Sequence, residues 1–76
     1  MFFPKVSYLS STLRLSFSHK SGQEASAYGF ADKLVDRLDA SNILYANKIE
    51  DGELVMVVHR SPRSMKLLME LADGDC

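Results

Sequence analysis

Asp51-Gly52 stands between two apolar runs, Ile43 to Ile49 and Leu54 to His59, and no other feature restricts the fold of this chain as tightly. A two-residue type I′ turn needs positive φ at both central positions, which Asp-Gly tolerates well. Counting outwards from that loop sets a register. Ile49 faces Leu54, Asn47 faces Met56 and Tyr45 faces Val58 on one side of the sheet. On the other side Lys48 faces Val55, Ala46 faces Val57 and Leu44 faces His59. Glu50 opposite Glu53 is a like-charge conflict that a longer loop would relieve.

The remaining elements follow from periodicity and punctuation. Apolar and polar residues alternate from Thr12 to Ser18, so Leu13, Leu15 and Phe17 share a buried strand face. Ser21 precedes Glu24 by three positions, the capping-box spacing that opens a helix. Ala27, Phe30, Ala31, Leu34 and Leu38 then form an apolar stripe, with Asp32, Lys33, Asp36 and Arg37 opposite. Gly29 inside this helix implies a close approach to the sheet. Ser61-Pro62 starts a second helix, with Ser as N-cap and Pro at the first helical position. Its expected buried stripe is Met65, Leu68, Met69 and Ala72, with a stop at Gly74 and a frayed tail to Cys76.

The order strand, helix, strand, strand, helix describes one small α+β domain over residues 1–76. The expected architecture is a two-layer α/β sandwich of ferredoxin-like character, with both helices on one face of an antiparallel or mixed sheet. A right-handed crossover makes the first two of these strands parallel and places the third, antiparallel, between them. Phe3 to Leu9 can supply an extra N-terminal edge strand by turning at Ser10-Ser11. In element order and length the chain resembles the small DNA-damage-inducible inhibitor proteins of bacteria and the small dimerising subunit of the KEOPS tRNA-modification complex. Met65-Lys66-Leu67-Leu68-Met69-Glu70 stands where the former carry an acidic, aromatic-rich helix, and the second helix is short for the latter. No residue roles follow from that likeness.

Composition narrows the function classes. Nine Lys plus Arg against ten Asp plus Glu give a net charge of −1, unlike a bulk polyanion binder or an acidic nucleic-acid mimic. A single cysteine, Cys76, excludes a disulfide framework and a cysteine-based zinc site. The longest apolar run, Leu54 to Val58, is far too short to span a membrane. Before Glu24 the chain has no acidic residue, several hydroxyls and the cations Lys5, Arg14 and Lys20, a composition shared with transit peptides. Strand alternation in the same stretch favours a folded segment and a cytoplasmic protein.

Function is expected at two places. The helix-free sheet face would carry Leu44, Ala46, Val55 and Val57, with Lys48 and His59 at its rim. Solvated sheet faces normally read polar, so this face is expected to contact a protein partner or a second copy, with Phe2 and Phe3 as further anchors. The competing expectation is that Phe2-Phe3-Pro4 folds over that face within the monomer. Arg60, Arg63 and Lys66 cluster at the start of the second helix and offer a nucleic-acid or phosphate contact. No phosphate-loop glycines accompany them. His19 and His59 lack a positioned carboxylate partner, so no catalytic residue, metal, cofactor or small-molecule substrate is expected. The sequence thus describes a non-enzymatic interaction module or regulator, with nucleic-acid binding as the alternative.

Overall fold

The computed structural model describes residues 2–73. Its elements are β1 (Lys5–Tyr8), β2 (Thr12–Ser16), α1 (Glu24–Ala40), β3 (Tyr45–Glu50), β4 (Glu53–His59) and α2 (Pro62–Ala72). Four strands make one antiparallel sheet in the order β1-β2-β4-β3. The α+β class expected from sequence is what the chain adopts, and the N-terminal strand is present at the sheet edge. β2 and β3 each pair antiparallel with β4, which lies between them, so they run in the same direction.

The hairpin register matches residue for residue, from Tyr45 opposite Val58 to Glu50 opposite Glu53. Asp51 and Gly52 take φ of 51° and 79°, the positive values that a type I′ turn requires. Adding a Cβ at Gly52 meets nothing within 4 Å, so what matters there is backbone conformation.

The core lies between the helices and one sheet face. Leu13 and Leu15 of β2 and Met56 and Val58 of β4 are almost completely buried on that face, because side chains two apart point the same way. Ala27, Phe30, Ala31, Leu34 and Leu38 of α1 cover them, as the 3–4 spacing requires. Phe2, only 7% exposed, stacks on Phe17 with centroids 5.9 Å apart and meets Phe30 edge-on at 6.1 Å. The N-terminal aromatic therefore enters the core on the helix side and does not cover the opposite sheet face.

Three local expectations are corrected. Helix α1 has Gln23 at its N-cap, without a side-chain cap, in place of Ser21. The Glu24 carboxylate accepts the backbone N–H groups of Glu24 itself and Gly22, which lowers its pKa. Gly29 is exposed, with open space where a Cβ would stand, so no close approach to the sheet explains it. In α2 the cap falls where expected: Ser61 accepts from the Ser64 N–H and Ser64 Oγ accepts from the Ser61 N–H. This reciprocal box turns Ser64 inward, and the positions three, four and seven further on, Leu67, Leu68 and Leu71, follow it into the core. Met69 and Ala72, expected inside, are exposed. Gly74 and Cys76 lie outside the described residues. Among the described residues no helix is long and apolar enough to cross a membrane.

The two glycines give opposite predictions for one substitution. Gly29→Ala should raise stability by about 1 kcal/mol through helix propensity. Gly52→Ala should lower it by about 1 kcal/mol, because alanine resists the left-handed conformation. Urea denaturation reads both; midpoints moving in the same direction would contradict these backbone assignments.

Candidate protein-interaction site

The helix-free sheet face presents Thr12, Arg14 and Ser16 from β2, Val55 and Val57 from β4, and Ala46, Lys48 and Glu50 from β3. Val55, near its centre, is not open. Arg14 forms two side-chain hydrogen bonds with Glu50, and Lys48 Nζ lies 2.8 Å from Glu50 Oε2. Arg14 stands level with Val57, whereas Glu50 stands level with Glu53. The bridge thus runs diagonally over β4, and Val55 is the same-face residue midway along it. Strand spacing and rise put the two anchoring backbones about 16 Å apart, a reach that both side chains must nearly extend to cover. Val55 is 3% exposed although it lies outside the helix-side core. An ionic strap whose aliphatic stems lie over apolar surface accounts for that burial.

The same strap resolves the conflict between Glu50 and Glu53, since Glu50 turns away to meet two cations. Those hydrogen bonds, from Arg14 first and Lys48 second, lower the Glu50 carboxyl from 4.5 to about 2. A carboxyl with a depressed folded-state pKa stabilises fully above its unfolded value and loses that contribution as pH falls through the folded one. Stability should therefore decline between pH 4.5 and 2, and Glu50→Gln should flatten this part of the profile. Chemical denaturation across that window is the measurement, and parallel profiles for the two proteins would remove the strap from the account.

The other residues anticipated for this face divide. Leu44, Ala46, Lys48 and His59 are exposed and Val57 is half-buried, while Val55 and Phe2 are enclosed within the chain. The three basic residues are also dispersed in their bonding. Arg60 donates to the Leu9 carbonyl at 2.9 Å and lies 5.8 Å from the Tyr8 ring centroid. Arg63 donates to the Ser41 carbonyl at the end of α1, where a cation complements the helix dipole. Lys66 borders the hollow between the two helices with Arg37 and Glu70.

An apolar groove that the sequence reading missed lies between β1 and α2. Phe3, Val6, Tyr8, Met65, Met69 and Ala72 line it around a volume of about 240 Å³. Exposure reaches 43% at Phe3, 60% at Tyr8 and 68% at Met69, and the neighbouring Leu9 is 52% exposed. The available signal was the second apolar phase of α2: Met65, Met69 and Ala72 repeat at helical spacing beside the Leu67, Leu68 and Leu71 phase that fills the core.

Among the described residues the outer edge of β1, which the groove borders, has no strand paired to it. The Leu9 N–H donates to the Thr12 carbonyl at 2.9 Å, so Leu9, Ser7 and Lys5 direct their backbone groups towards β2. By alternation Val6 and Tyr8 direct theirs outwards while their side chains line the groove. No protein family, curated protein or solved structure matches this chain.

Proposed function

We propose that this protein is a small, non-enzymatic interaction module that docks a protein strand along β1 and seats apolar side chains in the β1–α2 groove. The carrying observation is the coincidence of two complementary features on one edge: outward backbone groups at Val6 and Tyr8, and exposed apolar side chains at Phe3, Tyr8 and Met69. Strand addition uses such a pair, with main-chain hydrogen bonds for affinity and side-chain pockets for selectivity. The burial of Val55 beneath the ionic strap reduces the apolar surface that the sheet face offers and supports this edge as the docking surface. We also read the arrangement as ferredoxin-like, with the edge strand beside β2 contributed from the N-terminus. Nucleic-acid binding through Arg60, Arg63 and Lys66 is the weaker reading, because two of the three guanidinium and ammonium groups are already engaged with backbone carbonyls.

A double variant, Tyr8→Glu with Met69→Glu, tests this function. Both side chains are more than half exposed, so the fold should persist by circular dichroism. Association with itself in sedimentation and with proteins retained in affinity capture should be lost. Val57→Asp, on the opposite sheet face, should leave that association intact. Loss with Val57→Asp and retention with the double variant would return the interface to the sheet face.

A further inference from the structure

We infer that the occupant of the β1 edge is a second copy of this chain, joined antiparallel through a two-fold axis at Ser7 to make one continuous eight-stranded sheet. The inference rests on the docking function proposed above and names its partner. Both copies must present the same sheet face across such an axis, so residues brought opposite share a side-chain direction. Val6 and Tyr8 carry the outward backbone groups, and pairing Val6 with Tyr8 of the second copy satisfies every one of them. Shifting the axis by one residue, to Val6, puts Pro4 opposite Tyr8. Proline has no N–H, so the outward Tyr8 carbonyl would then lack a donor. Pro4 thereby disfavours the register centred on Val6, and the axis at Ser7 is the one that pairs the outward groups of Val6 and Tyr8 with each other.

Area and charge agree with a second copy. Phe3, Tyr8, Leu9 and Met69 together leave exposed about 450 Å² per copy, taking roughly 200 Å² for a whole large side chain. Two copies would cover roughly 900 Å² before any backbone is counted, which approaches the lower limit of about 1,200 Å² for standard interfaces. An interface related by a two-fold axis sets a surface against itself, and any charge at its centre would face its like. The groove side chains Phe3, Val6, Tyr8, Met65, Leu68, Met69 and Ala72 carry none, and the nearest cations, Lys5 and the Arg60 beside Tyr8, flank the axis at Ser7 instead of standing on it. The β3 edge differs, because its outward residues Tyr45, Asn47 and Ile49 centre on a polar side chain.

The test uses the full chain with Cys76→Ser, so that no native thiol competes. Ser7→Cys in that background places two thiols at a pair that lacks direct hydrogen bonds, with Cα atoms about 4.5 Å apart. That separation suits a disulfide, and mild oxidation should link most of the protein as a covalent dimer. Lys5→Cys is the control: its copies would lie about 13 Å apart and should stay unlinked. Sedimentation equilibrium of the unsubstituted chain should show a dimer that high salt leaves intact. A monomer at all concentrations overturns the second copy, and the double variant's effect on affinity capture then decides separately whether the groove docks another protein. A dimer in which Ser7→Cys stays unlinked, or Lys5→Cys links equally well, overturns this two-fold arrangement.

Discussion

The pairing of β2 with β4 is the interaction on which the other parts depend. It sets Leu13 beside Val58 and Leu15 beside Met56, and these four side chains form the floor on which both helices rest. The two strands occupy the middle of the sheet, so each needs partners on both flanks, and β1 and β3 supply them. With a single core in a chain this short, loss of a few of these contacts would remove much of the roughly 4–11 kcal/mol typical at this size. The aromatic cluster of Phe2, Phe17 and Phe30 closes one end of that core and ties the N-terminus to the first helix.

Local chemistry made much of the fold legible. A turn that demands positive φ pinned the hairpin register, and 3–4 periodicity identified every buried residue in α1. Where two readings were locally equal, the sequence misled. Helix α2 has two apolar phases, and the one in line with the buried Ser64 of the capping box is the one that reaches the core. The choice of Met69 and Ala72 as core hid the groove, since a stripe assigned to the interior cannot also be a surface.

The cover over Val55 on the helix-free sheet face escaped the sequence for a different reason. Alternation correctly placed Val55 and Val57 away from the helices, but it treats each strand by itself. The ion pair that spans the Val55 position joins two other strands: Arg14 in β2 and Glu50 in β3 meet only after β4 has been inserted between them. In the sequence Arg14 is one of three cations in an acid-poor segment whose alternation favours a strand. Its role is visible only in three dimensions. Long charged side chains can therefore shelter an apolar residue on a helix-free sheet face in a small protein without a third layer.

The non-sequential strand order has a consequence for synthesis on the ribosome. The β1–β2 hairpin emerges before β4, yet Leu13, already opposite Tyr8, finds its second cross-strand neighbour only when Val58 has been added. At elongation rates of about 5–20 residues per second, that interval lasts several seconds. Throughout it β2 is a hydrophobic strand with an unpaired inner edge, and the N-terminal aromatics have no complete core to enter. The nascent chain thus passes through a stage in which it depends on solubilising hydroxyls and on Lys5, Arg14 and Lys20 rather than on native packing.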